Sequence, residues 1–244
     1  MTLTVALITS NEELNIRDCM ENIRWADEIV VIDSGSEDQT QLIAREYTKN
    51  VYQIPFENFS KQKNEALARA TMDWIFLIDV DERMTDELAT EIKHIIKEND
   101  QTAVYKVHRR TFFFGKEMKY GGVQDDQPIR LFPKGKVSYE RPVHEQIVTS
   151  LTIKQLNYCL LHYSTRDRAH YQQKLDCYIP FEVELMREKK LRVSFWKVYY
   201  RSIGKFFYLY FYKKGMLDGR VGFLYARLSA YYEFLKCRMY QRLK

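Results

Sequence analysis

With 244 residues, 45% hydrophobic and 29% charged, the chain is long enough to bury a sizeable core and too apolar to be disordered. Its net charge of +5 is unevenly spread: residues 187–244 hold 15 Lys and Arg against 3 Asp and Glu, a balance of +12 that leaves −7 on residues 1–186. Cys19, Cys159, Cys177 and Cys237 form no C-x-x-C pair and read as reduced cytosolic thiols, which excludes a disulfide scaffold and a zinc ribbon. No apolar window reaches the ~18 residues of a membrane-spanning helix, and the β-branched N-terminus is not a signal peptide.

The chain opens on a strand ending at Thr9, after which Ser10-Asn11-Glu12-Glu13 has capping-box spacing and predicts a helix to about Ile23. A second strand, Glu28 to Ile32, runs into Asp33-Ser34-Gly35-Ser36, where Gly35 permits a tight turn and Ser36 with Gln39 repeats the capping spacing. Val51 to Ile54 is a third strand and Asn58 to Ala70 a helix. A fourth, apolar strand begins at Trp74 and reaches Asp79-Val80-Asp81, and Thr85 to Glu98 is an amphipathic helix. Such alternation predicts an α/β fold with a mainly parallel sheet and helices on both faces, whose ligands bind beyond the carboxyl ends of the strands, at Thr9, Asp33 and Asp79.

Residues two apart in an extended chain project to one side, so Asp79 and Asp81 are expected to converge. Paired carboxylate oxygens at a strand end suit Mn²⁺ or Mg²⁺, ions that share their coordination with substrate phosphates. There is no G-x-G-x-x-G and no Walker pattern, so a metal ion and side-chain cations are left to hold the phosphates.

Thr9-Ser10-Asn11-Glu12-Glu13, Ala26 to Ser36, Lys61-Gln62-Lys63-Asn64 and Asp79-Val80-Asp81-Glu82 together resemble glycosyltransferase family 2, the inverting GT-A enzymes. With Arg130-Leu131-Phe132, Arg141-Pro142-Val143-His144-Glu145, Leu161-His162-Tyr163-Ser164 and Lys214-Gly215-Met216-Leu217-Asp218-Gly219, the chain is similar to the bacterial lipopolysaccharide-core branch, which includes β-1,4-glucosyltransferases acting on inner-core heptose. The resemblance implies a GT-A domain over residues 1–186 and a C-terminal helical, basic-aromatic extension over residues 187–244. It implies that Thr9 and Glu12 border the nucleotide, that Asp33 hydrogen-bonds base or ribose, and that Lys61 or, facing inward, Lys63 reaches the diphosphate. Asp79 would lie near the ribose, Asp81 would ligate the metal, Arg130 would approach the phosphate, and His144, with His162 behind it, would complete the metal site. The catalytic base falls to Asp126, with Asp125 the neighbour to choose against, because Gln124-Asp125-Asp126 stands where relatives carry an aromatic-Pro-Asp run.

The tail interleaves 16 aromatics with its 15 basic residues and predicts helices over about Val193 to Lys214 and Gly219 to Leu243. Basic aromatic helices suit an anionic membrane surface, and the chain shows no nucleic-acid-binding motif. The expectation is a cytoplasmic enzyme, peripheral on the inner face of the cytoplasmic membrane, that moves a sugar from a nucleotide-diphospho-sugar such as a UDP-sugar to a lipid-linked saccharide. A phosphatase or nucleotidyltransferase using the same carboxylates, and a non-catalytic membrane or nucleic-acid adaptor, are the competing readings. A haloacid-dehalogenase-type phosphatase would carry its Asp-x-Asp on the first strand, and here it ends the fourth.

Overall fold

The computed structural model describes residues 1–141, 145–191 and 194–243. The elements run β1 (Leu3–Thr9), α1 (Glu13–Ile23), β2 (Glu28–Asp33), α2 (Thr40–Arg45), β3 (Val51–Gln53), α3 (Phe59–Arg69), β4 (Trp74–Asp79), β5 (Glu82–Met84) and α4 (Asp86–Glu98). They continue through β6 (Ala103–Phe113), β7 (Lys116–Met118), a 3₁₀ turn (Val123–Asp125), β8 (Ile129–Pro133), β9 (Ser138–Glu140), β10 (Gln146–Val148) and β11 (Thr152–Thr165). The C-terminal part holds α5 (Arg168–Glu188), α6 (Phe195–Phe207), a π-helical turn (Tyr208–Tyr212), a 3₁₀ turn (Gly215–Asp218) and α7 (Gly219–Arg242).

Two compact units divide the chain: Met1–Arg109 with Gln127–His162, and Arg110–Asp126 with Tyr163–Lys244. The boundary expected at 186/187 falls inside the continuous helix α5, and the second unit also takes in the loop from Arg110 to Asp126. In the first unit β3, β2, β1 and β4 lie side by side and parallel, and β8, β6, β11 and β5 extend the sheet with antiparallel pairings at β4–β8, β6–β8 and β11–β5. Alternation along the strands feeds two cores. Leu3, Val5, Leu7, Trp74, Phe76 and Ile78 pack with α1 and α4 on one face; Ala6, Val30, Ile32, Ile75 and Leu77 pack with Ala66 of α3 and Tyr139 of β9 on the other.

Three local expectations are corrected. Neither predicted capping box forms: α1 and α2 start at Glu13 and Thr40 without side-chain caps. The serine and asparagine brace the two loops against each other instead, Asn11 N–H donating to Ser36 Oγ (2.8 Å) and Glu37 N–H to Asn11 Oδ1 (2.9 Å). The strand bearing the aspartates stops at Asp79, and Val80-Asp81 form a turn, so turn geometry and not strand alternation sets where Asp81 points. After Ile129-Arg130-Leu131-Phe132 the sequence suggests a hairpin turned at Pro133-Lys134-Gly135, but β8 pairs with β4 and β6 while β9 pairs with β10 in a separate two-stranded sheet.

The second unit is built on α5, α6 and α7, whose shared core holds Leu175, Ile179, Val183, Val198, Cys237 and Tyr240. Its 3₁₀ turn and α7 meet backbone to backbone: a Cβ on Gly222 would fall 1.8 Å from the Gly215 carbonyl oxygen. Gly222→Ala is therefore expected to cost at least about 1–3 kcal/mol through overpacking. Gly204, inside α6 with nothing within 4 Å of its would-be Cβ, is the control; Gly204→Ala should gain about 0.5–1 kcal/mol from helix propensity. Urea midpoints of the two variants check both signs.

Candidate functional site

The carboxyl ends of β2, β1 and β4 stand next to one another, with Thr9 opposite Asp33 and Ile8 opposite Asp79 in register. Thr9 is buried, and its hydroxyl has no hydrogen-bond partner among the described residues. Glu12 sits at the head of α1, where its carboxylate accepts from Asn15 Nδ2 at 2.6 Å. Asp33 is fully buried and committed to its own loop: it accepts from the Gly35 and Ser36 N–H groups (2.9 and 2.8 Å), from Gln41 Nε2 (2.7 Å) and from the Ser36 hydroxyl (2.5 Å). These bonds shape the loop after β2.

On α3, capped by Asn58, the two lysines separate. Lys61 is exposed and pairs with Glu57 along the helix. Lys63 turns inward, ion-pairs with Glu145 at 2.9 Å and lies 5.3 Å over the Tyr139 ring.

At the end of β4 a buried knot of charge forms. Arg130 of β8, almost wholly buried, pairs with Asp79 and with Glu82 Oε1 (2.7 Å). Arg109 of β6 donates to the same Glu82 oxygen at 2.9 Å and lies 3.6 Å from Asp79. The other oxygen of Glu82 accepts the Asp79 N–H at 2.9 Å, which closes the turn between β4 and β5. Arg83 holds that turn from outside, donating to the carbonyls of Val80 (2.7 Å), Glu82 (2.7 Å) and Asn15 (2.9 Å). Burial would push the Asp79 carboxyl up, but Arg130, Lys63 and Arg109 outweigh it and hold the group well below the usual carboxylate range. Arg130 is thus the counter-ion of Asp79 and Glu82.

The turn carries Asp81 away from this knot toward β11. Antiparallel register sets His162 opposite Glu82, and His162 Nε2 comes within 3.5 Å of Asp81 Oδ2. His162 Nδ1 is buried with no partner among the described residues. A carboxylate and an imidazole side by side fit two positions on Mn²⁺, an octahedral ion whose neighbouring ligands stand about 3 Å apart. His144 lies outside the described residues, and among the described ones no cluster of three or more His, Cys, Asp or Glu side chains is poised to hold a metal.

Of the two candidate bases, Asp125 ends the 3₁₀ turn in the second unit and Asp126 follows it, and their surroundings differ. Asp125 is exposed and pairs with Lys213 Nζ at 2.5 Å. Asp126 is half-buried. Its charge reaches Tyr225, whose hydroxyl is pushed up by burial and by Asp126, against the opposing hydrogen bond to Ser229. The loop that carries both is held by the C-terminal segment: Asp218 accepts the N–H groups of Lys119 (3.0 Å) and Tyr120 (2.9 Å), and the Lys213 carbonyl accepts that of Gly121 (2.8 Å).

The family model for Glycosyl transferase family 2 matches residues 4–155, more than half the chain, including β1, β2, β4 and β8. The chain belongs to Glycosyl transferase family 2. This glycosyltransferase is 28% identical over 251 residues to the lipopolysaccharide core biosynthesis glycosyltransferase LpsC of Rhizobium meliloti (strain 1021), a match covering 99% of this chain and 93% of that one. It is 24% identical over 247 residues to the uncharacterized glycosyltransferase RT0209 of Rickettsia typhi, covering 96% and 85%. Among solved structures, glucosyl-3-phosphoglycerate synthase from Mycobacterium tuberculosis with Mg²⁺ and UDP is 23% identical, with a TM-score of 0.39 over 45% of this chain and 44% of that one. The fold is the GT-A type, and the glycosyltransferase belongs to an inverting family, so the phosphatase and adaptor readings fall away.

Glu82 and Arg109 are the residues that sequence reasoning passed over. Arg109 shares the strand phase of the buried Val107, Thr111 and Phe113, a signal present in the sequence. Glu82 follows the end of a strand, where a carboxylate is usually solvated, yet it is fully buried.

Because the folded Asp79 ionises below its ordinary value, its stabilising contribution is complete above the unfolded carboxylate pKa of about 3.9 and is lost as the pH falls further. Arg130→Met should therefore cost about 3–5 kcal/mol near neutrality by stranding buried carboxylates. The gap to wild type should narrow on acidification below about pH 4. Urea unfolding at about pH 7 and about pH 3 measures the gap at each end.

Proposed function

We propose that this glycosyltransferase moves a sugar from a nucleotide-diphospho-sugar, a UDP-sugar first, to a hydroxyl of a lipid-linked saccharide, and that it depends on Mn²⁺ or Mg²⁺. The observation that carries the reading is the split between two neighbouring aspartates: Asp79 locked in the Arg130–Glu82 knot, and Asp81 turned out beside His162. Asp81 and His162 would hold the metal, and the metal, when bound, would offset charge on the diphosphate leaving group. Lys63 adds a fixed cation, and the unpartnered Thr9 hydroxyl supplies a donor at the strand ends where nucleotides bind in open α/β sheets.

An inverting transfer needs a carboxylate to accept the proton of the attacking hydroxyl. Asp126 is assigned this role on the family resemblance, with Asp125, which pairs with Lys213, the runner-up. Similarity to LpsC along nearly the whole of both chains supports lipopolysaccharide core as the acceptor class. An enzyme working on such an acceptor is placed on the inner face of the cytoplasmic membrane, and no helix among the described residues is long and apolar enough to cross it.

Titration calorimetry with UDP and GDP, with and without Mn²⁺, tests the donor site. Wild type should bind UDP in a Mn²⁺-dependent way, and Asp81→Ala should lose that dependence while its thermal melt is unchanged; absence of nucleotide binding under every metal condition would overturn the reading. For the base, Asp126→Asn is expected to lower the transfer rate about 10²–10⁴-fold with nucleotide binding retained. Asp125→Asn should fall by less than about tenfold, and the reverse order in a radiolabelled-sugar transfer assay would move the base to Asp125.

A further inference from the structure

Residues 189–217 contain eight Lys or Arg and no Asp or Glu. Within them, α6 and the π-helical turn expose Trp196, Tyr200, Ile203, Phe207 and Phe211, at spacings of four, three, four and four. Those spacings place them along one side of the helix. Trp196 is 79% and Tyr200 81% exposed, values that a helix packed on its own protein does not show for such side chains. The opposite side carries the buried Val198, Ser202 and Leu209, with Val198 in the helical core beside Cys237 and Tyr240. The Lys213 N–H reaches back to the Tyr208 carbonyl at 2.8 Å, and the widened turn keeps the rings in file: Phe207 stacks on Phe211 (5.5 Å) and Tyr208 on Tyr212 (5.3 Å).

Isolated surface apolar residues are ordinary, but a continuous row of five large ones is an interaction surface. Its composition selects the partner. Trp and Tyr favour the headgroup level of a bilayer, Ile203, Phe207 and Phe211 supply the apolar edge that enters the acyl boundary, the exposed Lys197 follows Trp196 at the margin of the row, and the segment's unopposed positive charge, to which the exposed Lys205 adds, favours anionic headgroups. A second copy of the chain is disfavoured, because a twofold contact on this face would set an all-basic segment against itself. Nucleic acid would leave the aliphatic part of the row unused.

We infer that the exposed face of α6 and its π-helical turn docks on the surface of an anionic lipid bilayer. The inference depends on the lipid-linked acceptor proposed above for its purpose, and on nothing catalytic for its test. The docking segment runs directly into the loop-holding contacts: Lys213, which follows Tyr212, binds both Asp125 and the Gly121 N–H. A membrane-seated α6 therefore fixes the level at which the loop carrying Asp125 and Asp126 is presented.

The test mixes the whole protein with vesicles of phosphatidylethanolamine and phosphatidylglycerol, or of phosphatidylcholine alone, and measures co-sedimentation. Wild type should sediment with the anionic vesicles, weakly with the neutral ones, and less as salt rises. Tyr200→Glu with Phe207→Glu, and separately Lys197→Glu with Lys205→Glu, should each weaken binding about tenfold or more. Circular dichroism and UDP binding should stay at wild-type values in both, which separates lost docking from lost folding. Equal sedimentation with both vesicle types, or binding that survives the tyrosine and phenylalanine substitutions, would overturn the inference. So would dimerisation abolished by Tyr200→Glu in place of vesicle binding, or tighter binding to a homopolymeric RNA than to anionic vesicles. Failure of UDP binding alone would overturn the donor assignment and leave the docking face standing.

Discussion

The interaction on which the first unit depends is the burial of Glu82. A carboxylate with no solvent exposure costs several kcal/mol unless its charge is compensated and its oxygens are hydrogen-bonded. Here two guanidinium groups and one backbone N–H meet that requirement, and each comes from a different strand: Arg130 from β8, Arg109 from β6, and the Asp79 N–H from β4. The antiparallel strands that extend the sheet beyond β4 are what deliver the two arginines. Once the knot is closed the turn between β4 and β5 has little freedom, and the direction of Asp81 is decided by the same contacts that neutralise Glu82. The turn that carries Asp81 is thereby preorganised before any ligand arrives.

Much of the parallel half was legible because it is written in local pattern. Apolar runs ended by Thr9, Asp33 and Asp79 marked strands and their carboxyl ends, and the two-residue offset between Lys61 and Lys63 on a helix was enough to expect different directions for them. What could not be read depends on register between distant segments. Arg130 belongs to Asp79 because β8 runs antiparallel to β4 with Phe76 opposite Leu131, and His162 reaches Asp81 because β11 sets it opposite Glu82. Neither pairing leaves a trace in the spacing of its own segment. The serine-based capping boxes failed for a related reason: Ser36 and Asn11 have the composition of caps, but two neighbouring loops competed for their hydrogen bonds and won.

The C-terminal segment shows the same limit at larger scale. Charge and aromatic content marked it as distinct, and its glycines marked breaks between helices. That Asp218 and Lys213 reach back about a hundred residues to the loop before Asp126 was invisible, since a carboxylate accepting two backbone N–H groups looks like any other aspartate in sequence. The contact changes what the segment is. It is part of the support for the candidate base, and the close approach of Gly215 to Gly222 is the constraint that sets Asp218 at the start of α7.

The two aspartate pairs follow one electrostatic logic. In Asp79-Val80-Asp81 the first carboxylate is bound by Arg130 and the second turns to an imidazole; in Asp125-Asp126 the first is bound by Lys213 and the second lies half-buried near Tyr225. A cation bound to one member fixes the backbone and lowers the density of negative charge beside the other. Without those cations, two neighbouring carboxylates would repel one another with no counter-charge beside them. Arg130 and Lys213 would then serve the chemistry without touching the substrate, each by taking one carboxylate out of play.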